Sequence, residues 1–188
     1  MMKLIDCGLA RVRLWRGEAP VASYLAGDVV EGCVSPTKQA EEATSSSAAI
    51  EVWLPMGPRA LFGLLGVRYE RGGPACEIRV PVVRGLDGPR LNDTIAAAYD
   101  EVRVGLPDEY GREVVRWLAH GAEVFGLRGK LTVEHAAHSL VGSSPSVFAA
   151  LSMLAEQLIV ERLEEQEPSR VEKIVREAVR RGAENRSV

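Results

Sequence analysis

No apolar run in this chain is long enough to span a bilayer, and no basic start leads into a long apolar stretch. Neither a membrane span nor a signal peptide is therefore expected, and the protein is placed in the cytoplasm. Its three cysteines, Cys7, Cys33 and Cys76, are widely spaced and show no paired spacing. That excludes a disulfide framework and a zinc site, and reads as ordinary buried thiols in a reducing compartment. The formal net charge of -3 gives no general basic footprint for nucleic acid, although a local basic loop can still touch RNA. There is no nucleophile elbow and no internal repeat. The acidic pairs Glu41-Glu42, Asp108-Glu109 and Glu164-Glu165 have no histidine or nucleophile beside them in a glycine-rich setting, and read as structural. No catalytic residue, cofactor or metal is expected.

What the chain does have is a globular composition. Its 188 residues, 46% hydrophobic and 26% charged, suit one domain or one plus an appendage, with enough apolar surface for a core. Lys3 to Trp15 alternates loosely and predicts one or two strands, and Asp28 to Val34 predicts another. Residues 35–48 are small and polar and read as a loop. Ile50, Val52 and Leu54 oppose Glu51 and Trp53, which is the pattern of a half-buried strand, with a turn from Pro55 to Pro58. Leu61 to Glu70 predicts a longer strand, broken by Arg71-Gly72-Gly73-Pro74. Cys76, Ile78, Val80 and Val82 then alternate with Glu77, Arg79 and Pro81. These two segments read as a β-hairpin with a four-residue tip, and Pro81 marks an edge or a bulge.

Pro107 opens a helix with Asp108 and Glu109 in its first turn, both favourable at the positive end. Val114, Val115, Leu118 and Ala122 form its buried stripe, and Gly126 and Gly129 end it. Leu131 and Val133 make a short strand. Ser144-Pro145 starts a second helix whose apolar face is broad enough for a packed central position. Ser169 and Glu172 form a capping box for a last helix, lined by Val171, Ile174, Val175, Ala178 and Val179 and ended by Gly182.

From Gly72 to Arg162 the order of motifs carries a resemblance. The segments 76-CEIRVPVVRG-85, 104-VGLPDEYGREVVRWLAHGAEVFG-126 and 131-LTVEHAAHSLVGSSPSVFAALSMLAEQL-158 resemble domain IV of translation elongation factor G. That domain has the fold of the second domain of ribosomal protein S5. The resemblance implies an α+β fold, an S5 domain 2-like sheet with helices on one face. The chain then divides into a β-rich part at 1–70, which extends the same sheet or forms an appendage, the domain IV-like part at 71–165, and a C-terminal helix at 166–188. A Gly-x-x-x-x-Gly-Lys-Ser/Thr phosphate loop is absent, so the GTPase of elongation factors is not in this chain.

In the family a histidine near the tip of the second loop approaches the decoding region of the ribosome, and His138 lies close to that place. It stands one residue further from Ser143-Ser144 than in the family, and Gly142 replaces the family's acid. Arg71, Gly72 and Gly73 sit where the family carries its other tip loop. The resemblance thus implies ribosome, RNA or protein-partner binding through Arg71, Gly72, Gly73, His138, Ser143 and Ser144.

Two other classes stand beside this one. Gly-Ser-Ser-x-Ser before an alanine-rich helix also resembles the phosphate loop of small-molecule kinases of the GHMP superfamily, which implies an anion- or nucleotide-binding enzyme using Gly142 to Ser144. A structural or oligomerising protein is the third reading, with the last helix docking on another subunit and covering exposed aromatics such as Trp15, Trp53 or Trp117.

Overall fold

In the computed structural model of the protein, the structure describes residues 2–7, 10–15, 19–22, 27–37, 45–56, 58–86 and 88–161, with 169 and 173 beyond them. Apart from Ser169 and Lys173, the last helix predicted from sequence lies outside the described residues. The strands are β1 (Met2–Cys7), β2 (Ala10–Trp15), β3 (Asp28–Val34), β4 (Ser46–Met56), β5 (Arg59–Arg71), β6 (Cys76–Val82) and β7 (Val102–Val104). Then follow α1 (Asp108–Phe125), β8 (Gly129–Ser139) and α2 (Pro145–Val160).

The class is α+β: one mixed eight-stranded sheet in the order β1-β2-β4-β5-β8-β6-β3, with β7 also on β8, and two helices. Strands from residues 2–56 belong to the same sheet as the rest. The predicted hairpin of β5 with β6 does not form. β8 lies between them, antiparallel to β5 and parallel to β6 over Cys76 to Arg79. Beyond Arg79 the parallel ladder stops two residues short of Pro81, which lacks the N–H to continue it. The same edge of β8 then takes up β7, antiparallel, from Val102↔Ser139 to Val104↔Ala137. The parallel connection is therefore β6 to β8 through α1.

α1 begins behind Pro107, carries Asp108 and Glu109 in its first turn, and ends at Gly126 in the left-handed region at φ 69, whose N–H donates to the Ala122 carbonyl. Its buried positions, Gly111, Val114, Leu118 and Ala122, recur at helical spacing. α1 packs on β3 and β6, α2 packs on β4 and β5, and the two helices touch, so both cover one face. Ile50, Leu65, Val67, Ile78, Val80, Leu131 and Val133 meet them from the sheet. The opposite face is half covered. There the connection from β6 to β7 lays Leu91 over Phe62, Leu64, Val102, Val104 and Ala137, anchored by Leu91 N–H to the Val102 carbonyl at 2.9 Å and by Val104 N–H to the Pro89 carbonyl at 2.8 Å.

Among the described cysteine side chains, Cys76 is buried and Cys33 is exposed, so the expectation of uniformly buried thiols fails at Cys33. Burial, first of all, pushes the Cys76 thiol up to about 12, which removes it as a nucleophile. No helix among the described residues is long and apolar enough to cross a membrane.

Candidate functional site

The residues singled out from sequence fall at two ends of one long strand. Arg71 closes β5, while the loop 142–144 is stapled to its opening: Phe62 N–H donates to the Gly142 carbonyl at 3.0 Å. At about 3.3 Å per residue, the span from Phe62 to Arg71 is about 30 Å. The sheet therefore holds these two groups of residues far apart.

His138 is not on an exposed loop. β8 runs through it, it is fully buried, and its Nδ1–H donates to the Gly105 carbonyl at 2.9 Å. Tyr110 meets its ring edge-on at 6.2 Å. Burial, ahead of the opposing backbone hydrogen bonds, holds its pKa below the ordinary histidine value. A neutral, buried imidazole has no surface with which to reach RNA. The resemblance placed it near a loop tip, whereas it lies within β8.

Ser143 is likewise engaged inward. Its hydroxyl donates to the Phe62 carbonyl at 2.7 Å and accepts Ser139 N–H at 2.8 Å. The N–H groups of Val141 and Gly142 both go to Ser139 Oγ. A Cβ at Gly142 would stand 2.5 Å from the Ala60 carbonyl oxygen, so glycine here serves a close approach to β5. Ser144 takes the N-cap position predicted for it, but its hydroxyl bonds no helix amide and instead lies 3.0 Å from that of Ser146. The N–H groups of residues 141–143 and the Ser143 hydroxyl are spent on the fold.

At the other end the connections are built into one unit. Gly72 N–H donates to the Arg128 carbonyl at 3.2 Å, Gly129 N–H to the Ala75 carbonyl at 2.8 Å, and Tyr69 OH to the Arg128 carbonyl at 2.7 Å. Arg128 turns its Nη2 to the Pro36 carbonyl at 3.1 Å. The loop after β5, the turn before β8 and the segment after β3 are thus tied together. From this end Arg71, Gly72 and Gly73 are exposed, with Arg79 exposed nearby on β6 and Lys130 half-buried on β8. Glu70 and Glu77, also exposed, moderate the positive charge.

No protein-family model, no curated protein and no solved structure matches this chain. The site must be read from its own groups.

The aromatics proposed as a covered surface are already occupied. Trp15 is buried, with the Arg13 guanidinium 5.5 Å from its ring centre. Trp53 donates to Asp100 at 3.2 Å beneath Arg11, and Trp117 donates to Glu113 at 2.7 Å. Sequence reading missed Arg128 and Lys130, whose role rests on β8 lying beside β5 and β6. It also missed a depression around His135, which depends on register across four strands. No group of three or more metal-ligating side chains occurs among the described residues.

Proposed function

We propose that this chain is a binding module akin to domain IV of elongation factor G, and that it contacts ribosomal RNA through the end carrying Arg71. The observation that supports this reading is the rigid junction of the Arg71-Gly72-Gly73 loop with the Arg128–Lys130 turn, which holds an exposed guanidinium on a fixed backbone. A loop whose backbone is already ordered loses little loop entropy on meeting a phosphate. The net charge of -3 confines the contact to a local patch, so its salt dependence is set by the few phosphates that patch neutralises. His138, Ser143 and Ser144 have no part in it; fold-level likeness alone carries no function.

The test is cosedimentation of the purified protein with ribosomes and separated subunits across a salt series. Arg71→Ala should weaken binding and reduce the salt slope by about one phosphate contact. Absence of binding at low salt would end the ribosomal reading, and binding unchanged in Arg71→Ala would move the contact elsewhere.

A further inference from the structure

On the half of the sheet that the helices do not cover, one cross-strand row runs Trp15, Ala49, Gly66, His135. Side chains in such a row stand side by side on one face. Here two large residues flank a methyl group and a position with no side chain, so the row itself leaves a hollow. A Cβ at Gly66 would lie 3.0 Å from the His135 Cβ and 3.2 Å from the Ala49 Cβ, and would fill its floor. The adjoining row is Ser47, Arg68, Thr132. Between them β8 carries a bulge: Gly66 pairs His135 but Val67 pairs Val133, leaving Glu134 as the extra residue. Bulges re-aim side chains, and Glu134 is aimed at Arg68, accepting its Nε–H at 2.6 Å. The result is a cavity of about 130 Å³ walled by Trp15 and Pro20 on one side and by His135 and Arg68 on the other.

The arrangement has the parts of a recognition site. Glu134 holds Arg68 by Nε alone, and among the described residues nothing accepts from its two Nη groups. Those groups form the planar edge that matches a carboxylate. Ser47 pairs Arg68 across the strands and lines the same cavity. Burial, ahead of the Glu134 and Arg68 charges, holds His135 below the ordinary histidine value, so its ring stays uncharged at neutral pH. The volume is below the several hundred Å³ that drug-sized ligands and nucleotides occupy, and near that of a cavity that admits benzene. Arg68 is set against Glu134 and Glu70, so a ligand must bind through the Nη edge and not through net positive charge, which disfavours a dianion.

We propose that this hollow binds a small organic monocarboxylate, with the carboxylate on the Arg68 Nη groups and the Ser47 hydroxyl and the short apolar end against Trp15, Pro20 and Ala49. The site is separate from the Arg71 contact and does not depend on it.

Butyrate is the probe, followed by amide NMR of the full chain, with butylammonium and inorganic phosphate as comparators at matched ionic strength. Saturable shifts at Ser47, Gly66, Arg68 and His135 are expected with butyrate. Arg68→Gln, an exposed position whose change leaves the core intact, should weaken them roughly tenfold or more, the scale of a lost charge-assisted pair. Glu134→Gln keeps an acceptor for Arg68 Nε, removes a negative charge and should tighten binding. No saturable shift with butyrate, shifts undiminished in Arg68→Gln, or phosphate or butylammonium binding in place of butyrate would each overturn the assignment.

Discussion

Glu156 on α2 occupies the space that a side chain on Gly121 of α1 would fill: a Cβ there would overlap the carboxyl group. The acid is fully buried and neither oxygen has a hydrogen-bond partner among the described residues. Burial pushes its pKa well above the ordinary carboxylate value. An unpartnered polar group in such a place costs stability. Glu156→Met, which keeps the volume, is expected to raise the free energy of unfolding by about 1–3 kcal/mol at pH 8. Gly121→Ala should lower it by about 1–3 kcal/mol through overpacking between the helices. Urea denaturation measures both. A destabilised Glu156→Met would show that the carboxyl has a role in the fold that its surroundings do not reveal.

The same residue sets a pH trend. Below the ordinary value of 4.5 the acid is protonated in the folded and unfolded chain alike. Above it the unfolded chain ionises while the folded chain does not, so this group's contribution to stability falls as pH rises toward the folded pKa. The slope approaches about 1.4 kcal/mol per pH unit. Subtracting the Glu156→Met profile from that of the unaltered protein isolates this slope, and parallel profiles would contradict it.

His138 carries the opposite sign. Its folded pKa is depressed, first by burial, so its contribution is complete above the ordinary 6.5 and is lost as pH falls below it. His138→Ala removes the bond to Gly105 and leaves a hole beside Tyr110. About 2–4 kcal/mol of stability should go with it. Urea midpoints at pH 8 check the loss. Any ribosome binding should survive in the fraction that remains folded, whereas a loss of binding with unchanged stability would return His138 to the surface.

These residues also mark what the sequence could and could not say. Pro107, Gly126 and the Ser144-Pro145 pair place helix ends because their signals are local: a fixed φ, a left-handed cap, a missing N–H. The β5–β6 hairpin was misread because Arg71-Gly72-Gly73-Pro74 has the chemistry of a turn, while the partner that separates the strands arrives more than fifty residues later by number, at Gly129. β8 was cut short at Val133 for a related reason. Its bulge at Glu134 puts Val133 and Ala136 on the same face and resets the alternation, so a strand reads as a loop with two histidines. The hollow at Gly66 has no local signal at all, since it exists only in the alignment of four strands.

Glu51 is the pin of the connection that crosses the second face. It is fully buried, accepts the Thr94 hydroxyl at 2.5 Å and Ile95 N–H at 3.0 Å, and lies 3.5 Å from Arg13 Nε. Burial raises its pKa, and the Thr94 and Ile95 hydrogen bonds and Arg13 oppose the rise. Arg13 in turn holds Asp93 at 2.8 Å. Glu51→Ala should cost about 2–3 kcal/mol, since it unpairs the Thr94 and Ile95 donors and removes one of the two carboxylates beside Arg13. Hydrogen exchange should show the loss first at the Ile95 amide and then along residues 88–101, with α1 unaffected. Uniform loss of protection across the sheet would mean that the connection is part of the global folding unit and not a separately latched segment.

Gly129 and Arg71 separate backbone architecture from charge at the proposed RNA-facing end. Gly129 sits at φ 134, a conformation that disfavours any Cβ, and a Cβ there would press on the Glu70 carbonyl and the Gly72 amide. Gly129→Ala should therefore cost about 2–4 kcal/mol and loosen the Gly72–Arg128 and Gly129–Ala75 hydrogen bonds together. Arg71→Ala changes an exposed side chain and should leave stability within about 0.5 kcal/mol. If fixed geometry at this end is what makes Arg71 effective, Gly129→Ala in its folded fraction should weaken ribosome binding as well, despite removing no charge. If binding instead follows charge alone, Gly129→Ala will bind like the unaltered protein while Arg71→Ala does not, and the rigid junction will have served only the fold.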